Sequence, residues 1–170
     1  MATPRRLVIV RHAKAEPYAD TDAERRLSDR GRKDAAAAGQ WLAGQDLMPD
    51  RVLVSGAART RETWQLMAEA AGWNGEAEYD DALYGADEDT VLDILRAADE
   101  SAGTIAVVGH NPTVGMLAQL LDDGDGDPEA MDSLMLGYPT SAVTVFDVPV
   151  PWSRLGPGSA TLRAFEVGRG

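Results

Sequence analysis

Hydrophobic and polar positions along this chain fall into blocks of two different periods, and the two kinds of block take turns. Arg6–Val10 (RLVIV) is a run of Leu and β-branched residues without polar alternation, the pattern of a strand covered on both faces. Arg51–Ser55 (RVLVS) and Thr104–Val108 (TIAVV) repeat it. Between these runs the apolar positions recur at helical spacing. A helix is predicted over Asp29–Ala43, with Ser28 as its N-cap and Ala35, Ala38, Gly39 and Leu42 on one face. A second runs from Arg59 to Ala71, with Thr63, Leu66, Met67 and Ala70 inward and Gly72 as its C-terminal stop. A third presents Val91, Ile94, Leu95 and Ala98, with Asp87–Asp89 favourably placed in its first turn. A fourth presents Val114, Leu117, Ala118 and Leu121, with Asn111 as cap and Pro112 at the first helical position.

Two late runs, Ala142–Val148 and Ala160–Val167, read as strands with no clear helix between them. Strands alternating with amphipathic helices predict an α/β domain: a three-layer α/β/α sandwich around a mostly parallel sheet, with the late strands as an antiparallel edge. No internal repeat or linker interrupts residues 1–170, so one domain is expected.

Composition narrows the function more than the fold. The chain has 44% hydrophobic and 26% charged residues, as a soluble globular protein does. It has no cysteine, which excludes disulfides and thiolate metal sites. No run approaches membrane-spanning length and no signal-peptide pattern opens the sequence, so a cytoplasmic protein with no membrane partner is expected. The net charge of −12 argues against nucleic acid as the main partner. The charge is uneven, however: basic residues concentrate in the first 33 positions, while the remainder is strongly acidic. A locally basic segment in an acidic protein suits a small anion. The acidic stretch Asp122–Asp132 (DDGDGDPEAMD) superficially resembles a calcium loop. Pro128 stands where such a loop requires glycine, and Leu134 where it requires glutamate, so a flexible acidic surface loop is expected.

The chemistry gathers where strands end. Ligands of open α/β sheets collect beyond the carboxyl ends of the strands. The first strand delivers Arg11 and His12 there, the second leads into SGAARTRET with Arg59, and the third delivers Gly109, His110 and Asn111 at a helix N-terminus. These include the only two histidines of the chain. Two guanidiniums, two imidazoles and a helix N-terminus on one rim describe a pocket for a compact dianion, phosphate above all. With no thiol and no Gly-rich phosphate loop, a histidine can itself be the nucleophile on phosphorus. Neighbouring arginines would keep it neutral and would also offset charge on the transferring group.

VRHA, SGAARTRET and GHN, in that order and spacing, resemble the histidine phosphatase superfamily, the phosphoglycerate mutase-like proteins. The short length, RRLSDRG at Arg25–Gly31 and DALYGAD at Asp81–Asp87 resemble its compact SixA-type phosphohistidine phosphatases in particular. The resemblance implies a phosphoglycerate mutase-like fold and a phosphatase without metal or organic cofactor. It makes His12 the nucleophile, Arg11 and Arg59 phosphate clamps, and His110 the second histidine on the phosphoryl group. Arg25 and Asn111 become further phosphate ligands, and Ser55 and Thr63 serve geometry. Asp81, four residues before Gly85, matches the position of the mutase-like general acid, although that residue is usually Glu. Ala13 replaces the family's glycine after the nucleophile, so the turn must be one that alanine can adopt. The expected substrate is a phosphorylated protein carrying phosphohistidine. A small phosphomonoester is the alternative, and a mutase-like phosphotransferase or a non-catalytic phosphate-binding module are more distant ones.

Overall fold

The computed structural model describes residues 3–170. In chain order the elements are β1 (Arg5–Arg11), α1 (Asp29–Ala43), β2 (Arg51–Ser55), α2 (Ala58–Ala71), β3 (Glu78–Asp80) and α3 (Glu88–Arg96). They continue with β4 (Thr104–Gly109), α4 (Thr113–Leu121), α5 (Pro128–Leu136), β5 (Ala142–Val148) and β6 (Thr161–Val167). The six strands form one sheet in the order β3-β2-β4-β1-β5-β6. β1 to β4 run parallel, with Arg11 level with Gly109 and Val54 level with Val108. β5 is antiparallel to β1 and to β6, which gives the sheet its antiparallel margin.

The unalternating strands are explained by what covers them. Val8, Val10, Val52, Val54, Ala106 and Val108 pack with α1 and α2 on one face. Their neighbours Leu7, Ile9, Leu53, Ile105 and Val107 pack with α3, α4 and α5 on the other. Each strand therefore needs an apolar side chain at every position. The predicted inner face of α1 is buried as expected, and so is that of α4. α2 is rotated by about one position from the prediction. Thr60, Thr63, Trp64, Met67 and Ala68 face inward, because Trp64 stacks on Trp73 beneath the helix.

Three further elements depart from the sequence reading. The acidic stretch at Asp122–Asp132 is not a loop throughout. Asp127 caps α5 by accepting from the Ala130 N–H, and Pro128 sits in its first turn, where proline costs least. β3 carries no apolar run at all. It is a three-residue strand on the sheet edge, largely exposed, and holds its place by pairing with β2. α4 begins at Thr113, one residue later than predicted. Pro112 precedes it, while the Asn111 side-chain oxygen accepts from the Gly115 N–H. Among the described residues no helix is long and apolar enough to cross a membrane.

α1 and α2 lie unusually close, and Gly39 is the reason. A Cβ there would come within 2.2 Å of the Met67 carbonyl oxygen and 2.7 Å of its Cα. Gly39→Ala should therefore destabilise the protein by about 1–2 kcal/mol in urea unfolding, although alanine is intrinsically the better helix former by about 1 kcal/mol. An unchanged or raised midpoint would show that the helices can separate freely.

Candidate active site

β2, β4 and β1 are adjacent and parallel, so their carboxyl ends deliver Ser55, His110 and His12 to one crevice. The His12 and His110 rings lie 5.4 Å apart. His12 is 8% exposed and its backbone is fixed on both sides: its N–H donates to the Gly109 carbonyl and its carbonyl accepts from the Ser141 N–H. Ser141 holds that contact with a left-handed φ of 64°, and its own carbonyl accepts from the Gly168 N–H just beyond β6.

The ring of His12 is also fixed. Nδ1 is 2.7 Å from the Ala13 carbonyl oxygen. A carbonyl can only accept, so Nδ1 carries the proton and Nε2 keeps its lone pair. The Ala13 N–H donates to Thr63 Oγ1 at 2.9 Å, and that hydroxyl donates to the Arg59 carbonyl at 2.7 Å. Thr63 thus ties the turn after β1 to the first turns of α2. Ala13 is fully buried and is not among the residues with positive φ, so the turn accepts alanine without strain. Its methyl joins the core beside α1 and α2.

His110 Nε2 lies 2.7 Å from Ser55 Oγ, and Tyr84 places its ring edge-on at 5.5 Å between centroids. His110 Nδ1 and Arg11 Nε are both buried without a hydrogen-bond partner among the described residues. Buried polar atoms are normally satisfied, so such a pair on one rim marks a place for an external acceptor. Arg11 Nη1 donates to the Tyr138 carbonyl, which also accepts from Asn111 Nδ2. The Asn111 side chain therefore braces the Gly137–Ser141 loop, and both its oxygen and its nitrogen have protein partners.

Arg59 reaches the same crevice from the start of α2. Its Nη1 and Nη2 donate to the carbonyl and carboxylate of Asp22, at 2.8 and 3.0 Å. Asp22 lies on a 3-10 turn in the β1–α1 connection and also accepts from Arg25 Nη1 and the Tyr84 hydroxyl. These bonds, Tyr84's first and the arginines' after it, hold the Asp22 carboxyl well below the usual carboxylate range. Arg25 stands at the rim with its donors on Asp22 and on the Glu16 carbonyl. Asp81 is exposed at the rim beside the end of β2, its carboxylate so close over Gly56 that a Cβ there would meet Oδ1 at 1.9 Å.

Sequence reasoning brought together Arg11, His12, Arg59 and His110, but it missed Asp22 and Tyr84. Their signal was faint: Asp22 stands three residues before Arg25, and Tyr84 lies inside DALYGAD. Among the described residues no cluster of His, Asp or Glu could hold a metal ion.

Burial, first of all, lowers the His12 pKa to about 3 against the opposing pull of the Ala13 carbonyl, and His110, Arg59 and Arg11 add to the lowering. Burial and Arg59 lower that of His110 to about 4. Two neutral imidazoles and two guanidiniums at a strand-end crevice can hold a compact anion and present a ring nitrogen to it.

Comparison with known proteins agrees. Residues 7–90 match the model of the histidine phosphatase superfamily, branch 1. The phosphohistidine phosphatase SixA of Escherichia coli K12 is 30% identical over 122 residues, 71% of this chain and 76% of that protein. An uncharacterized protein of Mycobacterium tuberculosis, Rv1276c, is 36% identical over 94% of this chain and all of its own length. A solved structure of the protein histidine phosphatase SixA complexed with tungstate superposes with a TM-score of 0.78 at 26% identity, covering 96% of this chain and 97% of that one. The chain belongs to the histidine phosphatase superfamily, and it is a phosphatase.

The lowered histidine pKa values carry a sign. The folded protein refuses protons that the unfolded chain accepts near pH 6.5, so stability present above that pH is lost as pH falls towards about 4 and then 3. In the ligand-free protein, NMR titration should find both imidazoles neutral at pH 5.5, with the melting temperature dropping as pH is lowered from 6.5. A titration midpoint near 6.5 for His12 would contradict the buried neutral ring.

Proposed function

We propose that the protein removes phosphoryl groups from phosphohistidine on proteins, with His12 Nε2 as the nucleophile. The observation that carries this reading is the contact between His12 Nδ1 and the Ala13 carbonyl, which leaves Nε2 unprotonated in a buried, cationic crevice. The Nε2 lone pair attacks phosphorus while the phosphorus–nitrogen bond to the substrate imidazole breaks, its electron pair going to the departing nitrogen. That ring, protonated on its far nitrogen beforehand, leaves as neutral imidazole. Charge gained by the His12 ring is shared through Nδ1–H with the Ala13 carbonyl. Water then attacks the phosphoenzyme, the His12 Nε2–phosphorus bond breaks, and inorganic phosphate departs.

Arg11 and Arg59 hold the non-transferring oxygens, as a guanidinium fork can, and offset charge in the transition state. With Ser55 donating its hydroxyl proton to His110 Nε2, the Nδ1 of His110 carries a hydrogen towards the same oxygens. The SixA structure is a complex with tungstate, itself an oxyanion, and phosphate is the oxyanion assigned to this crevice. Arg25 acts through Asp22, and Asn111 through the Tyr138 carbonyl. Asp81 is retained as the candidate acid for an alkoxide leaving group, which a protonated imidazole does not require.

The protein-sized substrate is supported by an open mouth. Between α2 and α3 only residues 72–87 intervene, and they contain the short β3 and a 3-10 turn. The relatives from Escherichia coli and Haemophilus influenzae carry phosphohistidine phosphatase names.

Turnover of a phosphohistidine peptide, an aryl phosphate and sugar phosphates tests both layers. His12→Ala should lose activity by about 10³-fold or more on every substrate, and the wild type should form an acid-labile phosphoenzyme that the variant does not. Activity in His12→Ala within tenfold of wild type would overturn the mechanism. A more than tenfold preference for sugar phosphates would overturn the substrate class alone.

A further inference from the structure

The mouth of the crevice contains an anion whose place the reaction above leaves unexplained. His12 is 8% exposed and the Arg59 side chain 8%, whereas the Asp22 side chain is 52% and Tyr84 40% exposed. His12 and Arg59 therefore form the floor, and Asp22 and Tyr84 lie above them on the solvent side. A chain of contacts connects the layers: His12 to His110, His110 to the Tyr84 ring, and the Tyr84 hydroxyl to Asp22. In an in-line displacement the leaving group departs on the side opposite the nucleophile. With His12 on the floor, that side is the mouth.

Asp22 is held there rigidly. Arg25 occupies Oδ1, and Arg59 and Tyr84 occupy Oδ2. An ionised carboxylate offers about four acceptor positions, so it can take one more donor from the solvent side. Its charge also matters once substrate is bound. A phosphoryl dianion shares Arg11 and Arg59 with their protein partners, so the Asp22 charge at the mouth is then offset less fully. A second anion on the leaving group would then be repelled, while a cationic or N–H-bearing group would be attracted.

We propose that Asp22, fixed by Arg59, Arg25 and Tyr84, determines leaving-group specificity, accepting a hydrogen bond from a positively charged leaving group and rejecting a carboxylate-bearing one. The inference rests on His12 as nucleophile and deepens the proposed substrate class. A phosphoimidazole protonated on its far nitrogen presents such an N–H to the mouth. A phosphorylated hydroxy acid presents the opposite charge. Because hydrogen bonds keep the Asp22 carboxyl ionised far below neutrality, it serves as an acceptor and not as a proton donor.

The test uses a pair of two-carbon phosphomonoesters of opposite charge, phosphoethanolamine and phosphoglycolate, beside a phosphohistidine peptide. Where turnover of either ester is too slow, its inhibition constant against aryl phosphate is read instead. Wild type should favour phosphoethanolamine by about tenfold or more, and Asp22→Asn should reduce that ratio by about tenfold, with Asp22→Glu restoring most of it. A ratio cancels any general loss from loosening Arg59. A ratio unchanged within about twofold in Asp22→Asn, or a wild type that favours phosphoglycolate, would overturn the assignment. If the pair behaves as expected while the phosphohistidine peptide is not hydrolysed, Asp22 keeps its role and the phosphohistidine substrate is overturned.

Discussion

The hydrogen bond from His12 Nδ1 to the Ala13 carbonyl is the interaction on which the rest of the site depends. It selects the tautomer that presents a lone pair at Nε2, and it aims the ring. A one-residue turn could not hold that geometry alone. The Ala13 N–H is therefore anchored on Thr63, the His12 N–H on β4 and the His12 carbonyl on Ser141. Burial then keeps the ring neutral, and its cationic surroundings reinforce the effect. In the proposed mechanism the same arginines that make a protonated histidine unfavourable also attract the phosphoryl dianion, so nucleophile activation and substrate binding share one arrangement of charge.

Much of this was legible in the sequence because it is written in local pattern. β2 and α1 have the boundaries that their apolar runs and the Ser28 cap indicate. All four residues predicted on the inner face of α4 are buried, with Gly115 beside them. Strand-end position alone placed Arg11, His12, Arg59 and His110 in one crevice. What the pattern did not show is what depends on contacts outside an element's own apolar periodicity. β3 has no hydrophobic signature because its stability comes from β2. The inward face of α2 was displaced because Trp64 found Trp73, a contact outside the helix's own periodicity. α5 was hidden because its acidic cap reads as part of an acidic loop.

The site shows the same division. Ser55 and Thr63 could be assigned to geometry from their positions, but not the atoms they would hold. Asp22 went unnoticed because an acidic residue beside arginines on an acidic protein is the ordinary state of a surface. Its distinction is three-dimensional: it is where Arg59 from α2, Arg25 from the β1–α1 connection and Tyr84 from the β3–α3 connection converge. Arg25 and Asn111, expected on the phosphate, have protein partners of their own. Arg11 and Arg59 have protein partners as well, on the Tyr138 carbonyl and on Asp22.

The left-handed turn at Ser141 links the first strand of the domain to its last. Its N–H holds the His12 carbonyl, and its carbonyl is held in turn by the Gly168 N–H. His12 stands near the start of the domain, yet the bond that secures the turn behind it needs a residue more than 150 positions further along. The backbone geometry around His12 is therefore a property of the completed sheet and not of the segment that carries it.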